Sequence, residues 1–475
     1  MKFSYKRIFL LFGIAIVYAN GIAQETWNWE KCIDYALKNN LQLQQADVNI
    51  ALGEATLKGN KMGYSPMINA DVNYNLRIGN NFNFFNSSYE RQLVHYQDYG
   101  VNLSQPIIDL VTPATVKKSK LELSALKLDQ ETLKNNIQLQ LLTAFLNIMN
   151  ANEQKEQATQ QHQTTKEQFD RMNTLIASGA AAENAILDIE AQLTNEALSI
   201  SQIKNQLDIA YLNLKMLLQL DPKQSIQVEI PRIPELLTLD AIADVNTIYE
   251  AALGLRPEIK SAQLKARSAQ QQINVAKGNY YPSLNFISNV NTFFTTQNKS
   301  SQTTTTGNFV PSGAIVDGTF QSVLIPETIT TQSKNPYKKQ LNQNLSYAFG
   351  LTLNVPIFNK FQVQTAVKQS RLNYKMALVS EKQAGLDLFN SIQQAHIKAQ
   401  AAIENYTAAD KNYSIAQKSY DYALERLHAG SISQLEVNTA KNNVAIALSK
   451  LTQSKYEYLF NTKLLDFYQG KKIEL

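Results

Sequence analysis

Residues 68–77 alternate strictly between apolar and polar side chains, and this stretch decides the fold class. The sequence reads Ile68-Asn69-Ala70-Asp71-Val72-Asn73-Tyr74-Asn75-Leu76-Arg77. Because successive side chains of a β-strand point to opposite faces, the pattern predicts a strand with one apolar and one polar face. About ten residues tilted near 45° cross the hydrocarbon layer of a bilayer. We therefore expect the apolar set to face lipid: Ile68, Ala70, Val72, Tyr74 and Leu76.

A second stretch carries the same alternation much later in the chain. It reads Tyr347-Ala348-Phe349-Gly350-Leu351-Thr352-Leu353-Asn354-Val355, and Pro356 follows it. Both stretches belong to a common layout of strand, polar loop, strand, proline and very long helix. By the same argument we expect the second apolar set to face lipid: Tyr347, Phe349, Leu351, Leu353 and Val355.

The N-terminal residues have the pattern of a secretory signal. Lys2, Lys6 and Arg7 precede an apolar run over residues 8–17, and Gly21-Ile22-Ala23 offers a small-x-small cleavage site. We predict that residues 1–23 are removed and, since no Cys lies at the junction, that no lipid anchor is added. Loss of the three cationic residues lowers the formal charge from +5 to +2, which argues against a nucleic-acid partner.

Two further absences from the sequence narrow the fold. No apolar run of about 18 residues follows the signal, so any membrane-spanning segment is predicted to be a strand. The only cysteine, Cys32, lies in a helical pattern and cannot form an internal disulfide. We expect it to be a small buried apolar residue.

The remainder of the chain is a tandem duplication. A shift of 216 residues aligns Pro66 with Pro282, and beyond the strand pair a shift of 250 aligns Pro106 with Pro356. Each copy is predicted to contain a helix, a strand pair and a long helical hairpin. The predicted segments are the signal peptide, repeat 1, a proline-containing connector and repeat 2, over residues 1–23, 24–220, 221–246 and 247–475.

The two copies differ mainly in the connection between their strands. The predicted strand pairs occupy about 67–105 and 283–355, and the second includes an insertion at about 298–340. This insertion is rich in Thr, Ser, Gln and Asn, with scattered Gly and Pro. Long loops of this kind are functional or disordered, and those of outer-membrane barrels face outside. We therefore predict an external loop.

Two helices are predicted to be too long for a globular core. After Pro113, the chain up to residue 177 contains no Gly or Pro, and residues 359–429 contain only Gly385, so each helix would reach roughly 100 Å. Apolar and Tyr residues at 3,4 spacing indicate coiled-coil packing, and Gly179 and Gly430 mark the turns to partner helices. Residues 152–168 are almost wholly polar, which predicts a helix wetted on both broad faces.

The predicted strands are too few to close a barrel within one chain. Each chain supplies four spanning strands, whereas single-chain outer-membrane barrels begin at about eight. Open edges are not tolerated in lipid, so several chains must share one barrel. Two chains would form a barrel filled by side chains and three a barrel with space for a lumen, and the strand count alone does not choose.

The duplicated architecture resembles that of the TolC-like outer membrane efflux proteins. The local signal is Arg426-Leu427-His428-Ala429-Gly430-Ser431-Ile432-Ser433-Gln434-Leu435-Glu436-Val437 at the second helix turn, and the resemblance covers essentially the whole mature chain. It implies a homotrimer whose 12-stranded outer-membrane β-barrel continues into a long periplasmic α-helical coiled-coil barrel. It also implies a periplasmic membrane-fusion adaptor and an inner-membrane pump or ABC secretion transporter as partners. The implied function is the exit channel of a tripartite efflux pump or type I secretion system.

The resemblance also implies sites at the periplasmic tip. It points to adaptor contact at Gly179, Gly430, Arg426 and Ser433, although Leu175 and Ala182 replace the last two in the first copy. The family commonly narrows its tip with acidic rings, for which the candidates are Glu183, Asp188 and Glu436. Acidic residues at a helix N-terminus are also favoured by the helix dipole alone, so both explanations remain open.

No residue pattern indicates an enzyme. The four histidines, His95, His162, His396 and His428, have no partner at metal or triad spacing, and no Gly-rich phosphate loop occurs. We expect neither a metal nor another cofactor. The alternatives left open are a periplasmic coiled-coil adaptor, which would not need lipid-compatible strands, and a passive porin, which would lack the long helices.

Overall fold

A computed structural model describes residues 26–83, 87–180, 182–229, 242–319 and 321–473. The predicted signal peptide and part of the predicted connector, residues 230–241, lie outside the described residues. The strands are β1 (Thr26–Trp27), β2 (Met67–Asn83), β3 (Ser88–Ile108), β4 (Gln227–Val228), β5 (Ser283–Thr295), β6 (Lys299–Ile315), β7 (Ser322–Lys334) and β8 (Ser346–Asn354). The helices are α1 (Trp29–Asn39), α2 (Leu41–Lys61), α3 (Val111–Ala177), α4 (Leu187–Leu218), α5 (Val245–Leu255), α6 (Pro257–Gly278), α7 (Tyr337–Gln343), α8 (Gln362–His428) and α9 (Gln434–Tyr468).

The duplication extends to the capping residues at the starts of α1 and α5. Helices α1 and α5 each have 11 residues, and their N-caps, Asn28 and Asp244, are 216 positions apart. The Asn28 side chain accepts a hydrogen bond from the Lys31 backbone N–H at 2.8 Å, and Asp244 accepts one from the Asn246 N–H at 3.0 Å. Each cap satisfies an amide that the helix leaves unpaired.

Helices α3 and α8 are the predicted long rods, each with 67 residues. The prediction placed their starts at residues 113 and 359, and the structure moves both. Helix α3 starts earlier because Asp109 accepts hydrogen bonds from the backbone N–H groups of Val111 and Thr112, at 2.8 and 3.0 Å. Helix α8 starts later because Lys360 and Phe361 have left-handed backbones, with φ of 52° and 59°.

The chain divides into two compact units, each built from segments of both copies. The first comprises Met1–Ala55, Lys120–Ser268 and Asn373–Leu475, and the second comprises Thr56–Ser119 and Ala269–Leu372. In the first unit, α1, α3, α4 and α9 surround a core in which Trp29 and Phe145 pack edge to face at 5.6 Å. Cys32 is fully buried in this core, as predicted, and burial raises the pKa of its thiol to about 12.

The coiled-coil packing predicted for α8 from Ile392 to Leu427 is clearest in its first part. The positions at 3,4 spacing from Ile392 to Tyr406 are buried. Ile392 packs in one cluster with Ile248 and Ala252 of α5, and Tyr406 stacks on Tyr458 of α9 with ring centroids 6.0 Å apart. Small alanines at the intervening positions allow close helix approach, and the tyrosines fill the space between them.

The second unit contains an antiparallel sheet of four strands in the order β2-β3-β5-β8. The predicted loop at 298–340 is not a loop, because β6 and β7 form a separate two-stranded ribbon and α7 follows it. Its Thr-rich composition, taken as a sign of irregular structure, suits β-strands because Thr is β-branched. One predicted strand position also changes: β8 ends at Asn354, opposite Ser283, so no β5 residue remains to pair with Val355.

Among the described residues, no helix has both the length and the apolarity to cross a bilayer.

Candidate functional site

The register of the four-stranded sheet brings the two predicted apolar sets onto one face. Val72 pairs with Tyr99, Val101 with Val290, and Val290 with Tyr347, so cross-strand neighbours on this face extend from β2 to β8. Both sets are exposed in the single chain: Val72 is 69 % exposed and Phe349 is 72 % exposed. An apolar face of this extent is compatible with contact to lipid.

The opposite face of the same sheet is polar. Asn73 donates a side-chain hydrogen bond to the Asp98 carboxylate at 2.8 Å, and Asn102 donates one to the Asp71 carboxylate at 2.6 Å. Gly100 lies between these pairs, and a Cβ there would come within 2.7 Å of an Asp71 oxygen. The sheet therefore has a face suited to water opposite the face suited to lipid.

The two helix turns have identical backbone hydrogen bonding. After α3, the Gly179 N–H donates to the Ile176 carbonyl at 2.9 Å and the Ala180 N–H to the Leu175 carbonyl at 2.8 Å. After α8, Gly430 donates to Leu427 and Ser431 to Arg426, both at 2.9 Å. These pairs define a Schellman motif at each turn, and both glycines have positive φ, 72° and 68°.

The equivalence of the turns explains why Leu175 can replace Arg426. Each residue supplies a backbone carbonyl to the motif, so the turn itself does not require either side chain. The Arg426 side chain is exposed. The guanidinium therefore takes no part in forming the turn.

The helices that follow the turns begin differently in the two copies. Ser433 is the N-cap of α9, and its hydroxyl accepts a hydrogen bond from the Glu436 N–H at 3.3 Å. The spacing of Ser433 and Glu436 is that of a capping box. The equivalent Ala182 has no side chain that could cap, and the chain there forms a 3₁₀ turn over Glu183–Ile186 before α4 starts.

The three acidic candidates are all exposed near these helix starts. Glu183 lies in the 3₁₀ turn, Asp188 in the first turn of α4 and Glu436 in the first turn of α9. Positions of this kind suit the helix dipole and equally leave the carboxylates accessible to solvent. Acidic constriction and adaptor contact therefore remain predictions.

Residues 152–168 are exposed to water along one side of the helix only, whereas their polarity predicts exposure on both broad faces. Thr165 is 0 % exposed and Lys441 of α9 is 4 % exposed. The Lys441 ammonium donates a hydrogen bond to the Thr165 hydroxyl at 2.9 Å, and this hydroxyl donates to the Glu196 carboxylate of α4, also at 2.9 Å. The prediction failed because polar side chains of α3 are matched by polar partners on α4 and α9.

The same polar contacts continue away from Thr165. Glu196 also accepts hydrogen bonds from the side chains of Gln192 at 3.0 Å and Gln161 at 3.3 Å, and its second oxygen faces His162 Nδ1 at 3.7 Å. Burial lowers the pKa of Lys441, and the negative charge of Glu196 partly opposes that shift. We call Thr165, Glu196 and Lys441 the buried triad.

A second group of polar contacts joins α3 and α9 nearer the core. Gln157 donates a side-chain hydrogen bond to the Thr452 hydroxyl at 2.9 Å, and the Tyr456 hydroxyl donates to the Glu153 carboxylate at 2.8 Å. Burial, together with this donation to Glu153, raises the pKa of Tyr456. Neither group is apparent from the sequence, although Lys441 on an otherwise apolar helix face is a signal for the first.

A groove of about 860 Å³ lies between α3, α4 and α9 in the first unit. Its lining includes eight carboxamide side chains, and the Asp188 and Glu196 carboxylates and the Lys450 ammonium add charges of both signs. The amide side chains are Gln154, Gln157, Gln161, Gln192, Asn195, Asn438, Asn442 and Gln453. The amide groups can hold water in the groove.

The sequence matches the family described as "Outer membrane efflux protein" over residues 32–218 and 248–470. The chain therefore belongs to the outer membrane efflux protein family. The match in two segments agrees with the internal duplication. No curated protein sequence gave a significant match.

Solved structures share this fold over nearly the whole chain. The outer membrane protein VceC from Vibrio cholerae matches with a TM-score of 0.73 at 14% identity, covering 94% of this chain and 97% of VceC. The Campylobacter jejuni CmeC outer membrane channel matches with a TM-score of 0.71 at 20% identity, covering 93% and 85%. CusC, whose structures describe transmembrane channel formation, matches with a TM-score of 0.74 at 15% identity, covering 94% and 92%.

Proposed function

We propose that this protein is the outer-membrane exit channel of a tripartite efflux pump or type I secretion system. Three chains would share one 12-stranded barrel, and substrates would pass through it without energy input from the chain itself. A periplasmic membrane-fusion adaptor and an inner-membrane pump or ABC transporter would deliver those substrates. The family match and the two-faced sheet are the observations that support this function.

The open edges of the sheet carry the argument for a shared barrel. Strands β2 and β8 are its outer strands, and no described residue pairs with the outer edge of either one. Each unpaired backbone group would cost several kcal/mol in lipid. Since all neighbours in β2-β3-β5-β8 are antiparallel, β8 of one chain and β2 of the next would also run antiparallel. Further copies therefore extend the sheet without changing its pattern.

The polar face of the sheet favours three chains over two. A barrel of about eight strands has an interior filled by side chains, whereas a larger barrel leaves room for water. The Asp71 and Asp98 carboxylates, with Asn73 and Asn102 beside them, form a charged face that a dry interior would not solvate. Three chains place this face on a water-filled lumen.

The two alternatives explain only part of the molecule. A periplasmic adaptor has no use for a sheet with an exposed apolar face that includes Val72, Phe349 and Leu351. A passive porin has no use for α3 and α8, whose 67 residues each extend roughly 100 Å. The exit channel uses both, because it must cross the outer membrane and reach partners through the periplasm.

The helix turns are the proposed site of adaptor contact, and Gly430 offers a direct test. Proline at this position loses the N–H that donates to Leu427 and cannot adopt the observed φ of 68°. Asparagine tolerates a left-handed backbone and keeps the N–H, so it is the matched control.

We predict that Gly430→Pro abolishes export and that Gly430→Asn retains it. A deletion strain of the source bacterium would be complemented with each variant. Ethidium accumulation would report efflux, and mass spectrometry of the medium would report secreted proteins. Both variants should reach the outer membrane in equal amounts. Export by Gly430→Pro at the wild-type level would contradict the proposed tip, and a deletion strain unchanged in both assays would contradict the function.

A further inference from the structure

The ribbon formed by β6 and β7 is the largest difference between the two copies. Its base pairs Lys299 with Lys334, and its far end pairs Ile315 with Ser322. The two strands pair only with each other among the described residues, so each has one open edge. A two-stranded ribbon on its own is marginally stable in water, and an open edge readily pairs with another strand.

The ribbon nevertheless has a defined geometry at its centre. Residues 306–308 form a bulge opposite Glu327, whose carboxylate accepts hydrogen bonds from the Thr306 hydroxyl at 2.7 Å and the Asn308 amide at 3.1 Å. These two bonds lower the pKa of Glu327. Gly307 allows the bulge because its φ is 84°. The bulge divides a polar, Thr-rich base from a distal part of different composition.

The distal part, residues 309–316 and 322–326, is apolar on both faces. The register places Val310 beside Ile325 on one face and Pro311 beside Leu324 on the other. Phe309 is 64 % exposed, although its ring would be buried in most folded proteins. A patch of this kind on both faces indicates that something covers both sides of the ribbon.

Lipid is a poor candidate for that cover. The outer edges of β6 and β7 carry backbone groups that hydrocarbon cannot satisfy. A protein strand can satisfy them and also bury the apolar side chains. The paired strands of the distal part carry no charged residue, and Asp317 lies in the turn beyond them, so the strands of identical copies can approach without repulsion between like charges.

We propose that the distal parts of ribbons from different copies of this chain pack together outside the membrane. This inference rests on the proposed shared barrel, which attaches each ribbon through β5 and β8 next to the ribbons of the other chains. Tethering at such short range gives a high effective concentration, so weak edge pairing and apolar contact suffice. The ribbons then form a joint cap or collar at the exit of the channel.

Hydrogen exchange of the assembly purified in detergent tests this contact. The amides that point away from the β6–β7 ladder are unpaired in one chain, and pairing with another copy should slow their exchange by about tenfold or more. Phe309→Asp combined with Ile325→Asp places a charge on each apolar face and should remove the protection. Thr303→Asp combined with Gln332→Asp adds the same charge to the polar base and is the matched control.

The outcomes separate the inference from the proposed function. Slow exchange in the wild type and the control, with fast exchange in the distal variant, supports contact between ribbons. Fast exchange in an intact oligomer overturns the inference and leaves the shared barrel standing. Protection that appears only after outer-membrane lipid vesicles are added identifies lipid as the cover and also overturns it. A monomer in detergent overturns both.

Discussion

Lys441 carries an ammonium group into the helical unit where little solvent reaches it. The Thr165 hydroxyl accepts a hydrogen bond from this ammonium and donates one to the Glu196 carboxylate. The two charges are therefore linked through the hydroxyl and are not in direct contact. A buried charge with a distant counter-charge stabilises a fold only weakly, and it is costly when one partner is removed. The buried triad therefore favours one relative placement of α3, α4 and α9 over nearby alternatives.

The lowered pKa of Lys441 predicts a pH dependence of stability. Above the lowered pKa, the unfolded chain binds this proton while the folded chain does not, so the free energy of unfolding rises with pH towards the ordinary value of 10.5. Lys441→Met, of similar length and without charge, should lose this rise. Melting temperatures of the wild type and the variant would be measured by circular dichroism across the alkaline range. Their difference isolates the contribution of Lys441, because the tyrosines titrate in both proteins. A difference independent of pH would contradict the account.

At the scale of elements, the alternation of residues 68–77 was enough to predict a two-faced strand. With the matching alternation of residues 347–355, it also predicted that both strands face lipid with their apolar sets, but it did not predict the strand order or register, because pairing depends on backbone partners distant in sequence. The polarity of residues 152–168 led to the wrong prediction of exposure on both broad faces for a related reason. A single helix does not reveal that Lys441 and Glu196, on two other helices, match its polar side chains.

Among the site residues, too, the sequence predicts some roles and not others. Gly179 and Gly430 were predictable because a left-handed helix end favours glycine, and both have positive φ. The capping role of Ser433 follows from its spacing to Glu436, although the resemblance suggested adaptor contact. The β6–β7 ribbon was not predictable from composition, because Thr-rich segments occur in both loops and strands.

The unequal starts of α4 and α9 lead to a prediction about helix capping. Ser433→Ala removes the hydroxyl that accepts the Glu436 N–H, and loss of such a cap costs about 1 kcal/mol. Ala182→Ser introduces a hydroxyl at the equivalent position, where Ala185 stands in place of Glu436, and should stabilise the 3₁₀ turn before α4 by a smaller amount. Amide exchange in residues 183–190 and 434–440 would measure both effects. Equal exchange in Ser433→Ala and wild type would contradict the assigned cap.

At the scale of the whole molecule, the open edges of β2 and β8 make the single chain incomplete as a membrane protein. Its polar face, its apolar face and its antiparallel order are all compatible with repetition of the same sheet around a lumen. The long helices need partners for a similar reason, because rods of 67 residues exceed what one core can cover. Membership of the outer membrane efflux protein family agrees with both requirements.

Native mass spectrometry of the purified protein, released from detergent micelles, tests the shared barrel most directly. We predict one dominant species of three chains, because three four-stranded sheets close a barrel wide enough for a lumen. A dominant species of one chain would contradict the account.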